Sequence, residues 1–161
     1  MLAPRKKLWS TPPEVIDEAI RLLRPAAGEL VFDIGAGDGN FIIRCAQTTQ
    51  ATLVGVEIDE ERAASAVRAI QEAGVERCTM LCGNALEQDY SPGAAFFLYL
   101  VPRGLRIILP QLRALGKVRV VTYMAPFPEG EGVKPLVCVK VGTAAHPEAQ
   151  WPLYYYELNG P

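Results

Sequence analysis

Residues 31–40 read VFDIGAGDGN, and the fold follows from how this stretch is read. Leu30, Val31, Phe32 and Ile34 form a short apolar run, the pattern of a strand covered on both faces. Asp33 interrupts that run near its end. The glycines after it mark a tight turn. Beyond them, residues 41–47 return to helical periodicity. The stretch is therefore a strand, a glycine-rich turn and a helix, with the turn at the carboxyl edge of a sheet.

Working outward, the same alternation repeats. Upstream, STPPEV at 10–15 opens a helix, with Thr11 expected as the N-cap, Pro12 in the first turn and Glu14 completing a capping box. Its stripe is Val15, Ile16, Ala19, Ile20 and Leu23, and Pro25 and Gly28 end it. Downstream, 53–58 reads as a buried strand, 60–73 as an alanine-rich surface helix ended by Gly74, and 78–82 as a third strand. Residues 95–100 form a fourth strand and 105–115 a helix with an expected break or kink at Pro110. A fifth strand covers 118–123. Two last strands, 137–141 and 153–158, have no helix between them. Strands separated by helices demand a parallel sheet with right-handed crossovers, and the helix-free final pair requires an antiparallel member. One domain over 1–161 is expected, with 1–10 as a flexible basic arm.

Composition narrows the function. The chain has 161 residues, half of them apolar and 21% charged, with a formal net charge of −2. No global basic field is available to hold nucleic acid. The longest apolar run, 94–101, falls well short of the roughly 20 residues of a membrane helix. The N-terminus lacks the apolar core of a secretory signal. Residues 1–13 are basic and free of acids, which leaves a mitochondrial placement open, but the stretch is too short and too poor in Ser and Arg to argue for a presequence, and cytoplasmic placement is expected. Cys45, Cys78, Cys82 and Cys138 lack zinc-site spacing, and no metal site is expected. Free thiols buried as small hydrophobes fit better and suggest a reducing compartment.

The turn itself carries chemistry. In Gly35-Ala36-Gly37-Asp38-Gly39, missing side chains let backbone N–H groups approach a ligand. Asn40 stands where a dinucleotide-binding turn wants its third glycine. Asp33, two residues before Gly35, would repel a pyrophosphate and attract an ammonium group. The site is thus suited to a nucleoside with a cationic, phosphate-free tail. Glu57, with Ile58 beside it, ends the second strand, where a carboxylate can accept from both ribose hydroxyls. Asn84, followed by Ala85, ends the third, where an amide can reach an adenine edge. Singly, Asp33 and Asn84 could be turn or cap residues and Glu57 a surface carboxylate. Their coincidence at successive strand ends is the stronger signal.

VFDIGAGDGN, VGVEID at 54–59 and GNALE at 83–87 resemble the cofactor motifs of class I S-adenosylmethionine-dependent methyltransferases. That resemblance implies a Rossmann-like, mostly parallel seven-stranded α/β sheet of order 3-2-1-4-5-7-6, with strand 7 antiparallel, and S-adenosyl-L-methionine as cofactor. Asn84 departs from the aspartate usual in that family. STPPEV, LYLVP at 98–102 and VVTYMAPFP at 120–128 are further similar to a group of small lysine methyltransferases that includes the ATP synthase c-subunit lysine methyltransferase. The group lays its Thr-Pro segment over the methionine end of the cofactor, which would make Thr11 a contact. It also tends to have an aromatic residue soon after the PFP-like segment, where this chain has Glu129-Gly130-Glu131-Gly132.

For an acceptor, the resemblance implies a protein lysine. Many class I enzymes that methylate base amino groups end the fourth strand in Asn/Asp-Pro-Pro-aromatic. Here Tyr99-Leu100-Val101-Pro102 stands there, which disfavours adenine or cytosine amino groups. Tyr99 and Tyr123 are the polar candidates for the acceptor channel, with Pro102 shaping it; each could equally be a core aromatic. Trp9 is a candidate cover for the cofactor. Trp151 and Tyr154 to Tyr156 read as sheet packing rather than an acceptor cage, with an edge or a dimer surface as a further option, and His146 as a surface residue. A small-molecule or RNA methyltransferase, and a catalytically silent cofactor-binding subunit, are the alternatives. Oligomeric state is left open.

Overall fold

The computed structural model describes residues 10–160. In chain order the elements are α1 (Pro13–Leu23), β1 (Leu30–Ile34), α2 (Asn40–Thr48), β2 (Thr52–Glu57), α3 (Glu60–Ala73) and β3 (Cys78–Cys82). A short 3-10 turn (Ala85–Glu87) leads to β4 (Gly93–Leu98), α4 (Pro102–Arg113), β5 (Val118–Tyr123), β6 (Val137–Gly142) and β7 (Gln150–Leu158). The strands form one seven-stranded sheet of order β3-β2-β1-β4-β5-β7-β6. β1 to β5 pair in parallel, and β7 runs antiparallel to both β5 and β6. This is the expected α/β architecture.

Successive residues of a strand face opposite ways, so each central strand feeds two cores. Val31, Phe97, Val121 and Tyr155 pack with α1, α2 and Ile70 of α3 on one face. Phe32, Phe96, Val120 and Tyr156 pack with Leu105, Ile108, Leu109 and Leu112 of α4 on the other. Both cores press the carboxyl ends of β1, β4 and β5 into fixed register. Gly55 of β2 sets the height of the glycine turn. A Cβ there would lie 2.4 Å from Met80 Sδ and 2.9 Å from Ala36 Cβ, so only a glycine lets Ala36 settle on the strand.

Three local expectations are corrected. Thr11 does not cap α1: Pro12 is the cap residue and makes no side-chain cap bond. Pro13 brings no N–H to be capped, and Glu14 instead accepts from the Ala144 N–H at 3.1 Å. α4 does not break at Pro110. It begins earlier, at Pro102, and runs on to Arg113. Pro110 removes only the bond to Arg106, on the exposed face, while Leu109 and Leu112 are fully buried and hold both sides of it. β4 ends at Leu98, which leaves Tyr99, Leu100 and Val101 as a link into α4. The sheet packing expected of Tyr155 and Tyr156 is observed, on opposite faces; the edge placement also entertained for them is not, since β7 lies between β5 and β6 as the expected strand order has it.

The thiols also differ from expectation. Cys45 is buried and Cys78 partly so, but Cys82 and Cys138 are exposed. Both lie on β3 and β6, the outer strands of the sheet. Burial pushes the Cys45 and Cys78 thiols up to about 11. Because the thiolate is the reactive form, a disulfide reagent at pH 8 is expected to label Cys82 and Cys138 fast and the other two only on unfolding. The same shifts mean that Cys45 and Cys78 support the fold below pH 9. Their contribution is lost as pH rises from 9 towards 11, because the unfolded chain releases those protons first.

Candidate active site

β1 delivers Asp33 and Ile34 to the carboxyl edge of the sheet, and the chain turns there. Gly35 has φ 84°, a left-handed value that disfavours any side chain, and a Cβ on it would meet the Tyr99 carbonyl oxygen at 3.0 Å. The link after β4 therefore lies directly against the glycine turn. The Gly35 and Ala36 N–H groups both donate to the Val56 carbonyl, at 2.9 and 3.0 Å. Gly37 N–H donates to Glu57 Oε2 at 2.8 Å, and Glu57 Oε1 accepts from Asp59 N–H at 3.0 Å. Gly39 then starts α2. One buried carboxylate at the end of β2 thus fixes the turn and the entry into α3.

The turn forms the floor of an open cleft of about 280 Å³, lined by Thr11, Asp33, Gly35, Ala36, Gly37, Asp38, Asn40, Phe41, Phe97 and Tyr99. Asp33 is 2% exposed. The segment ahead of α1 lies over the turn: Ser10 Oγ donates to Asp38 Oδ2 at 2.6 Å, which holds Thr11 at the cleft. Aromatic rings form the wall towards β5. Phe41 stacks on Phe97 at 4.3 Å between centroids, Phe97 lies 6.5 Å from Tyr123, and Tyr123 lies 4.6 Å from Tyr99 at a 56° tilt.

Of the residues singled out in the sequence, Thr11, Asp33, Gly35, Ala36, Gly37 and Tyr99 line this cleft. Glu57 joins it through Gly37, and Tyr123 through Tyr99. Gly39 lies behind, at the start of α2, where a Cβ would meet Ala66 Cβ at 3.2 Å. Ile58 follows β2, partly buried. Asn84 caps the 3-10 turn, its Oδ1 accepting from Leu86 N–H at 3.1 Å, and Ala85 is buried. Pro102 starts α4 in an exposed position. His146 is exposed, as expected. Trp9 and the arm over 1–9 lie outside the described residues. Asp38, Asn40, Phe41 and Phe97 were not singled out as cleft residues. Asp38 was legible as a second carboxylate inside the turn, but nothing local in sequence points to Ser10.

A family profile described as the precorrin methyltransferase domain matches residues 11–97, which span the glycine turn, Glu57 and Asn84. The chain belongs to that family. It is a methyltransferase of the class I S-adenosylmethionine-dependent fold, and S-adenosyl-L-methionine is its cofactor. The chain is 29% identical to a protein-lysine N-methyltransferase of Saccharolobus islandicus over 140 residues, 84% of this chain and 86% of that one. A crystal structure of an RNA methyltransferase from Salinibacter ruber with S-adenosyl-L-homocysteine superposes at TM-score 0.84, with 26% identity over 95% of each chain. The precorrin-6y C5,15-methyltransferase of Geobacter metallireducens shares the fold at TM-score 0.73, with 18% identity over 97% of this chain and 92% of that one.

The methyltransferase cleft fits that cofactor. A backbone cradle that a Cβ at Gly35 would fill lies beside a buried carboxylate suited to an ammonium group. Among the described residues no group of His, Cys, Asp or Glu is placed to hold a metal, and no helix is long and apolar enough to cross a membrane.

Proposed function

We propose that this methyltransferase acts on a protein lysine, with 1–161 as a single catalytic domain and a protein as its partner. The observation that carries the reading is the ring pair of Tyr99 and Tyr123, 4.6 Å apart at the carboxyl ends of β4 and β5. Aromatic walls receive an aliphatic stem and favour an amine at its end. The link Tyr99-Leu100-Val101-Pro102 brings no carboxylate or carboxamide to orient a base amino group. The Saccharolobus islandicus relative supports the same acceptor.

In this reading Asp33 and the Gly35 to Gly37 backbone hold the cofactor, with Thr11 and Gly39 flanking. Glu57, Ile58, Asn84 and Ala85 serve its nucleoside end. When bound, the cofactor supplies a methyl group on a positively charged sulfur, open to displacement by an amine. The protein's task is alignment and deprotonation of that amine. A free lysine is neutral in only about one molecule in 2,500 at pH 7, a cost of roughly 4.6 kcal/mol. Burial against Tyr99, Tyr123 and Phe97 lowers the amine's pKa without a dedicated base.

Two results test the acceptor. Tritiated methyl from the cofactor, offered to fractionated lysate, is expected in protein as methyl-lysine by mass spectrometry. With a lysine acceptor, the rate at limiting substrate is expected to climb with pH above 7, approaching tenfold per unit. Label confined to RNA or small molecules, with a flat profile, overturns the lysine reading. RNA is the second reading, favoured by the Salinibacter ruber likeness. Against it stand the net charge of −2 and the engagement of Arg106 and Arg113 by Glu131.

A further inference from the structure

Among the described non-glycine residues, Arg24, Met124 and Asn159 hold left-handed backbone, with φ of 49°, 73° and 60°. Two have local reasons. Arg24 closes α1 in the usual left-handed cap, and asparagine tolerates this region. Met124 has neither. It follows Tyr123 at the end of β5, and hydrogen bonds tie the chain down at Met124 and three residues on. Its N–H donates to the Pro152 carbonyl at 3.0 Å. Three residues on, buried Phe127 donates its N–H to Tyr156 Oη at 3.0 Å and packs edge-on to that ring. Glycine or asparagine would make this turn with less strain.

The side chain contributes little to the core, since Met124 is 42% exposed. Its position is more telling. β4 and β5 are hydrogen-bonded neighbours with Leu98 opposite Thr122, so the paired rings of Tyr99 and Tyr123 continue that register one step further. Met124 comes next on one strand end, and Val101, 56% exposed, comes just beyond on the other. Two large exposed apolar residues thus follow the tyrosine pair in the chain, at adjoining strand ends. A strained conformation kept at such a place points to a function for the side chain it presents. Methionine, unbranched and adaptable, suits a contact surface.

We propose that Met124 is a specificity-determining residue. With Val101 it receives an apolar side chain next to the acceptor amine, so the enzyme prefers a lysine with apolar neighbours. This rests on the lysine reading above. The test uses two synthetic peptides, one with the lysine between leucines and one with it between serines. Each is offered with tritiated cofactor to wild type, Met124→Gly and Met124→Asn. Wild type is expected to favour the leucine peptide by about tenfold or more in kcat/KM, the scale of a small apolar contact. Both variants are expected to lose that preference, to bind S-adenosylmethionine within twofold of wild type, and to melt no lower. A wild type without the preference, or variants that keep it, overturns the inference and leaves the lysine reading standing. Variants that melt well below wild type also overturn it, since the residue would then be structural. A wild type that labels neither peptide overturns both.

Discussion

Asp33→Asn is expected to weaken S-adenosylmethionine binding by about 30-fold to several thousand-fold while leaving a folded protein. The range is that of removing one partner from a desolvated charge pair, about 2–5 kcal/mol. Asp33 belongs in that class. It is buried on β1 between Gly55 and Phe97, and it lines the cleft beside the glycine turn. Water cannot screen a carboxylate so placed as it screens one on the surface. Asparagine matches its shape, so the substitution removes charge rather than packing. Calorimetry with two ligands separates the causes. S-adenosylhomocysteine keeps the amino-acid tail and should show the loss, whereas methylthioadenosine lacks the tail and should bind both proteins alike. Equal losses for the two ligands would show that Asp33 shapes the turn rather than meeting an ammonium group.

The sheet was legible because its central strands are covered on both faces. Runs such as 30–32 and 95–98 are apolar without alternation, and the turns between them carry glycine or a capping acid such as Asp59, which accepts from Arg62 N–H. The cleft was half legible. Asp33, Gly35 and Gly37 are local in sequence and lie together in the structure for that reason. What escaped reading depends on distance along the chain. Ser10 reaches Asp38 across 28 positions, and Phe97 meets Phe41 only because β4 is laid beside β1 under α2. The continuity of α4 through Pro110 escaped for another reason. Local propensity opposes it, and the burial of Leu109 and Leu112 outweighs that cost. The expected strand order already put β3 and β6 outermost, and what was not drawn from it is that this placement exposes Cys82 and Cys138.

Glu57→Ala is expected to lower the melting midpoint of the cofactor-free protein by roughly 6–24 °C. The carboxylate is 5% exposed, and its two oxygens accept from Gly37 N–H and Asp59 N–H. Bonds to a charged acceptor contribute about 1.5–3 kcal/mol each, and stranding a buried donor costs a similar amount. Losing both therefore costs about 3–6 kcal/mol, and a chain of this size drops about 2–4 °C per kcal/mol. Glu57→Gln keeps one acceptor oxygen but turns an NH₂ group towards the other donor, so it should fall between the two. Each oxygen also retains a lone pair, which is what contact with ribose hydroxyls would use. The two roles separate by measurement. Melting without ligand reports the hold on the turn, and calorimetry well below the midpoint reports the ligand. A variant that melts like wild type yet binds S-adenosylmethionine poorly would assign the carboxylate to the ligand alone. A variant that melts early and binds poorly would fit the proposed double role, in which the group that fixes the Gly37 backbone also meets the nucleoside. The cofactor should then stabilise wild type more than the variant, by an amount that grows with its concentration.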